Sequence, residues 1–206
     1  MNLRAAAAIA LALLTACSKP PDALSGCHLP ADGTVLAIGD SLTRGFGAAG
    51  QGYAEQLQAL LDGPEVVNLG IDGERSEGLR ARIDEALQEH EPAVVLITTG
   101  GNDFLRRVPE EQTRTHLAAI VAQVRAAGAT PVVFGIPAPS LSAVAGLASD
   151  HGLYDALAQG GEAHVIDSVV AEVLSDDGLK SDRIHPNRAG YGVMARAAAE
   201  VLARCR

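Results

Sequence analysis

The sequence predicts an α/β fold, a parallel sheet with helices on both faces, in one domain. Three observations carry that expectation. Short runs of strand character alternate with helical patterns from residue 33 onward, the order that produces parallel strands joined by right-handed crossovers. The strongest runs are apolar throughout, which marks strands buried on both faces. The chain has 206 residues, long enough for one domain with a substantial core and too short for two comfortable ones.

The N-terminus reads as a targeting segment. Asn2-Leu3-Arg4 is a positively charged start, and Ala5 to Leu14 is an apolar stretch of signal-peptide length. That stretch is too short to be a comfortable membrane-spanning helix. It ends in Leu14-Thr15-Ala16-Cys17, which resembles a bacterial lipoprotein signal, cleaved before a cysteine that carries lipid. The alternative is an ordinary secretory signal with an incidental cysteine. Residues 1–16 are therefore expected to be a lipoprotein signal peptide, and 17–32, rich in Pro, Ser and Gly, a lipidated tether. Ser18 rather than Asp follows Cys17, so the expected location is the cell envelope, at the periplasmic face of the outer rather than the inner membrane. Acyl chains on Cys17 would supply the membrane partner without a spanning helix.

The domain is expected over 33–206. Thr34-Val35-Leu36-Ala37-Ile38 is the first strand and runs straight into Gly39-Asp40-Ser41-Leu42; four glycines then interrupt Thr43–Gly52. Tyr53, Leu57, Leu60 and Leu61 share one helical face. Val66 to Gly70 is a second strand, and Leu79, Ile83 and Leu87 space a second helix. Ala93 to Thr98 is the strongest buried strand, followed by a helix marked by Leu117, Ile120, Val121 and Val124. Pro131 to Ile136 is a fourth strand, with proline at its tolerated first position. Ser140 to Gln159 is ambiguous, since Leu141, Val144 and Leu147 suggest a helical turn that Gly146, Gly152 and Gly160-Gly161 interrupt. His164 to Asp167 is a brief fifth strand, and Tyr191, Met194, Ala198, Val201 and Cys205 mark the closing helix.

The formal charge of −9, with no basic stripe, argues against a nucleic-acid partner. Beyond Cys17, two cysteines bracket the domain. In an exported protein Cys27 and Cys205 suggest a disulfide, with two unpaired thiols as the alternative.

Polar residues collect where strands end. Ser41 follows the first strand, Gly70 ends the second, Gly100-Gly101-Asn102-Asp103 follows the third, and Asp182-Arg183-Ile184-His185-Pro186-Asn187 precedes the last helix. In open parallel sheets all of these converge on the C-terminal edge, where ligands bind. The set suits acyl transfer. A serine hydroxyl needs a base to take its proton, and histidine is the usual base near neutral pH. Asp182, three residues before His185, suits the orienting acid of a serine-hydrolase triad. Asn102 offers a side-chain amide to an oxyanion, Gly70 a backbone N–H that substrate can approach with no Cβ in the way, and Ser41 its own N–H. Each signal has a plain alternative. Ser41 suits a helix N-cap, Asn102 a turn, Gly70 a strand end, and Asp-x-x-His a surface loop or half a metal site.

The four blocks in this order resemble the GDSL, or SGNH, hydrolase family, and the likeness spans Thr34 to Arg204. The sequence is most similar to the exported bacterial arylesterase, thioesterase and lysophospholipase branch. The resemblance implies a three-layer α/β/α, flavodoxin-like fold with five parallel strands. It implies ester or thioester hydrolysis through an acyl-serine, with no metal or other cofactor. Ser41 is then the nucleophile, His185 the base, Asp182 its partner, and Ser41, Gly70 and Asn102 the oxyanion hole. Two departures stand out. Asp72 replaces the serine common in the second block, and Ser140–Gln159 has no clear counterpart, although it is expected to border an acyl pocket.

Asp103-Phe104-Leu105-Arg106-Arg107 reads either as an entrance loop, with Phe104 and Leu105 on an acyl chain and the arginines on an anionic head group, or as a solvated loop. His28, His90, His116, His151 and His164 show no metal-ligand spacing. The expected function is hydrolysis of short to medium acyl esters, thioesters or lysophospholipids. Carbohydrate acetylesterase activity is the alternative within that class, and a non-catalytic envelope binding lipoprotein the alternative outside it.

Overall fold

The computed structural model describes residues 26–137 and 149–205. The signal segment, Cys17 and most of the expected tether, together with residues 138–148 of the ambiguous stretch, lie outside the described residues. Five strands form one sheet: β1 (Thr34–Gly39), β2 (Glu65–Gly70), β3 (Val94–Thr98), β4 (Thr130–Phe134) and β5 (His164–Ile166). All pairings are parallel and the spatial order is β2-β1-β3-β4-β5. This is the flavodoxin-like order, with its switch point between β1 and β3.

The helices, in chain order, are α1 (Ser41–Arg44), α2 (Tyr53–Gln58), α3 (Ser76–His90), α4 (Gly101–Leu105), α5 (Glu110–Ala126), α6 (Gly152–Gly160), α7 (Val169–Ser175) and α8 (Arg188–Leu202). Helix α3 packs against α5, and α8 against α2 and α7, so helices cover both sides of the sheet. Central strands β1, β3 and β4 are shielded from both sides, and Val35–Ile38, Val94–Ile97 and Val132–Phe134 are fully buried. Continuous apolar runs are what two covered faces require.

The structure departs from the sequence expectations at several places. Helix α2 ends at Gln58, so Leu60 lies beyond it and is exposed rather than core. Strand β4 begins at Thr130, whose N–H donates to the Ala93 carbonyl at 2.9 Å. Pro131 therefore faces the other side, where pairing with β5 starts only at Val132, and its missing N–H costs the ladder nothing. Gly152 does not interrupt a helix but opens α6, with Gly161 in the left-handed conformation closing it; Leu153, Tyr154 and Leu157 are buried beneath. Helix α7 was not expected, because seven residues give too little periodicity to read. Cys205 follows α8 instead of lying on it.

The sulfurs of Cys27 and Cys205 are bonded, with their Cα atoms 4.6 Å apart across a sequence separation of 178. Cys27 is buried and Leu29 packs against the core, so the packed chain already includes residues assigned to the tether. Closing so long a loop restricts the unfolded chain strongly. Replacing both cysteines by serine is expected to cost about 3–5 kcal/mol, measured by urea unfolding under non-reducing conditions, and added reductant should abolish the difference between the two proteins.

Candidate active site

Strand β1 lies between β2 and β3, so the chain leaving its C-terminal end is flanked by the ends of both neighbours. Gly39 pairs with Gly70 on one side and Thr98 on the other. The turn Asp40-Ser41 therefore has the end of β2 on one hand and the Gly100-Asn102 segment on the other. Helix α1 begins at Ser41, but the N-cap is Asp40, whose Oδ1 accepts from the Leu42 N–H at 3.0 Å. This corrects the capping reading of Ser41. As the first helical residue its own N–H has no intrahelical acceptor.

The loop before α8 delivers His185. Asn187 caps α8 by accepting from the N–H groups of Ala189 and Gly190 at 2.9 and 3.1 Å, and its amide donates back to the Gly178 and Lys180 carbonyls. Within the loop, Asp182 Oδ1 accepts from the N–H groups of Ile184 and His185 at 2.8 and 2.9 Å. That leaves Oδ2 for His185 Nδ1, 2.8 Å away. His185 Nε2 lies 3.0 Å from Ser41 Oγ. Partial burial raises the Asp182 carboxyl, but those two N–H groups and the His185 side chain outweigh it and hold the group below its ordinary value. An ionised Asp182 can only accept, so Nδ1 carries a proton, and in the neutral imidazole Nε2 is then the lone-pair nitrogen facing the serine.

Two loops must approach closely for this contact. Gly47, at φ +85°, is the point of approach, since a Cβ there would lie 2.2 Å from Ser181 Oγ. Ser181 is bound in turn to the His185 carbonyl through its N–H at 2.9 Å. Glycine at 47 thus satisfies both the backbone conformation and the contact.

Gly70 and Asn102 flank Ser41, and each has a partner that the sequence did not disclose. The Gly70 N–H donates to Asn68 Oδ1 at 3.0 Å, so an oxyanion would share it. The Leu69 carbonyl on the same peptide accepts from Arg82 Nη2 at 2.8 Å. Arg82 is locked by two 2.7 Å contacts to Glu74. The glycine also has a packing reason that the sequence does not disclose. A Cβ at Gly70 would meet the Arg44 backbone nitrogen at 2.1 Å, so the absent side chain admits α1. The Asn102 amide donates toward Asp40 Oδ2 at 3.4 Å.

Asp103 is structural. Its carboxylate accepts from the Ser76 N–H at 2.9 Å and the Ser76 hydroxyl at 2.6 Å, at the start of α3. The rest of that segment is only partly an entrance. Phe104 stacks on His151 with centroids 4.5 Å apart, Arg106 donates to the Gly73 carbonyl at 2.9 Å, and Leu105 is exposed.

A family model described as GDSL-like lipase/acylhydrolase matches residues 37–193. The chain belongs to the GDSL-like lipase/acylhydrolase family. It is 32% identical over 161 residues to the Escherichia coli thioesterase 1/protease 1/lysophospholipase L1, covering 75% of this chain and 76% of that protein. It is also 32% identical over 176 residues to the esterase TesA of Pseudomonas aeruginosa, covering 79% and 88%. Among solved structures, the esterase EstA from Pseudoalteromonas sp., inhibited by monoethylphosphonate, matches at 26% identity with a TM-score of 0.71, covering 83% of this chain and 97% of that one. As a GDSL family member the protein is a carboxylic ester hydrolase. The second-block departure, Asp72, is exposed, and the Asn68–Gly70 geometry does not depend on it.

The buried Asp40 of the GDSL block is the site's largest electrostatic cost. Burial raises its carboxyl, while the Leu42 N–H, the Thr98 hydroxyl and the charge of His185 lower it and Glu74 raises it; the result is about 6. Thr98 donates to Asp40 Oδ1 at 3.3 Å. Behind it the hydroxyls of Thr43 and Tyr53 continue a buried chain at 2.6 and 3.2 Å. The raised value means that folding favours the protonated form. The contribution of Asp40 to stability is full below about pH 4 and is lost as pH rises through about 6. Above that the fold bears about 3 kcal/mol. Asp40→Asn is therefore expected to be more stable than the parent at neutral pH, with the gain shrinking as pH falls toward 4. The same variant should lose about tenfold or more in esterase kcat, because one amide cannot accept from Leu42, Thr98 and Asn102 together. Urea melts across this pH range check the first part, and a stability difference that does not change with pH would refute it.

Proposed function

We propose that the protein hydrolyses esters and thioesters of short to medium acyl chains, or lysophospholipids, through an acyl-Ser41 intermediate at the cell envelope. The observation that carries this is the unbroken relay from Asp182 Oδ2 through His185 to Ser41 Oγ, at 2.8 and 3.0 Å. The names of the two relatives, a thioesterase and lysophospholipase and an esterase, support the substrate class.

In this reading His185 Nε2 takes the Ser41 proton as Oγ attacks the carbonyl carbon. The resulting oxyanion meets the N–H groups of Ser41 and Gly70 and the Asn102 amide. Asp182 holds the imidazolium. The intermediate collapses, the alcohol or thiol leaves with the proton from His185, and water repeats the sequence on the acyl-serine.

Ser41→Ala is expected to abolish labelling by a fluorophosphonate probe and to lower kcat by about four orders of magnitude or more. Labelling that survives the change would overturn the assignment. A series of nitrophenyl esters of increasing acyl length, run beside acetylated sugars, separates the acyl-ester reading from carbohydrate acetylesterase activity. For the anchor, Cys17→Ser should move the protein from the membrane to the soluble fraction on detergent-free fractionation, and unchanged partitioning would sink the lipidation.

A further inference from the structure

We propose that Phe46 is a specificity-determining residue for the alcohol half of the substrate, selecting aryl and other apolar leaving groups. The proposal rests on the roles given above to Ser41 and His185, and among the substrates named there it ranks aryl and other apolar esters above lysophospholipids, whose departing alcohol is a glycerol. The Phe46 ring lies 4.5 Å from the His185 imidazole, centroid to centroid, tilted by 40°, and the residue is 46% exposed. Exposure of one phenylalanine is by itself ordinary. What distinguishes this one is that its backbone is held from both ends. Its N–H donates to the Ser41 carbonyl at 3.1 Å, and its carbonyl accepts from the hydroxyl of buried Tyr191 at 3.0 Å. The next residue, Gly47, sits against Ser181 of the histidine loop. An aromatic ring on a held backbone thus lies, half open to solvent, beside the catalytic imidazole.

Reaction chemistry decides which half of the substrate it meets. During acylation Ser41 Oγ bonds to the acyl carbon, the bond from that carbon to the alcohol oxygen breaks, and the proton held on His185 Nε2 passes to that oxygen. The departing oxygen must therefore come within hydrogen-bond reach of Nε2, while the carbonyl oxygen points toward Gly70 and Asn102. A ring packed on the imidazole flanks the departing group. An aryl group loses water against that ring and gains an aromatic contact. A sugar or glycerol group loses water there with no hydrogen bond in return. Ile184, the chain neighbour of His185, is also exposed, at 44%.

The test is a two-way kinetic series on the wild type and Phe46→Ala. With butyrate as the acyl group, the alcohol runs through phenol, naphthol, methanol and glycerol. With nitrophenol as the alcohol, the acyl group runs from acetate to decanoate. The ratio of kcat/KM for aryl over methyl esters is expected to fall about tenfold in Phe46→Ala. The loss should be the same at every acyl length, and Phe46→Leu should recover part of it. The rate at which a preformed acyl-enzyme deacylates should show no aryl dependence, because the alcohol has already left. A loss that grows with acyl length and ignores the alcohol would overturn the proposal and place Phe46 against the acyl chain. An equal loss for all alcohols, with slowed deacylation, would overturn it by showing that the ring only supports His185. Fluorophosphonate labelling keeps the two readings apart. If Ser41 is labelled and the alcohol series is flat, the Phe46 proposal fails alone; if Ser41 is not labelled, the acyl-serine reading fails first.

Discussion

Everything at the rim of this sheet depends on where β1 lies. Because β1 is flanked by β2 and β3, the residue two past its end has a neighbouring strand end on either side. A peripheral strand could not do this, since one side would be open. Parallel pairing adds direction, putting all strand ends on one edge. Register alone brings Gly70 and Thr98 beside Gly39, two residues before Ser41, and the short chain after Thr98 carries Asn102 to the same edge. The remaining requirement is a histidine from the other end of the chain, and the loop before α8 supplies it.

The polar interior around Asp40 shows the cost of holding that edge still. A buried carboxylate that must accept from a helix N-terminus, a threonine and an asparagine is destabilising at neutral pH, even with its partners in place. The hydroxyl chain of Thr98, Thr43 and Tyr53 offsets part of this and gives the donors a common direction. On the opposite side, Arg82 and Glu74 hold the carbonyl end of the Leu69–Gly70 peptide. The turn that carries Ser41 is thus gripped through Asp40, while its neighbouring peptide is gripped from outside. A site built this way trades stability for a fixed geometry.

Strands β1 and β3 were legible because apolar runs of that length have few other uses, and the four blocks because their order matched one topology. What could not be read was tertiary. Nothing in the sequence says that Asp40 rather than Ser41 caps α1, since both residue types cap well. Nothing marks Arg82 as the partner of a peptide 13 residues earlier, or Gly47 as the seat for Ser181. Nothing in the sequence says that Gly70 packs against the Arg44 backbone, where a Cβ would clash. Local chemistry was visible wherever spacing along the chain implied spacing in the fold. It was hidden wherever a contact joined elements whose approach only the packing determines.

The candidate catalytic groups therefore fall into two preassembled halves. Asp182 and His185 are set within a single loop by hydrogen bonds spanning two to four residues, and would keep their mutual geometry even if the loop moved as a body. Ser41, Asp40 and Asn102 are set by the sheet edge. Among the described residues, the contacts that join the halves include His185 to Ser41, Phe46 to His185, Gly47 to Ser181, and Tyr191 to both Ser41 and Phe46. Their alignment depends on how α8 sits on α2, where the Gln56 amide donates to the Arg188 carbonyl at 2.9 Å. It depends also on the chain beyond α8, which the Cys27–Cys205 bond ties to the segment entering β1. The disulfide therefore does more than restrict the unfolded chain: it tethers the residues just past the C-terminal end of α8, the helix whose N-terminal end follows the loop that holds His185.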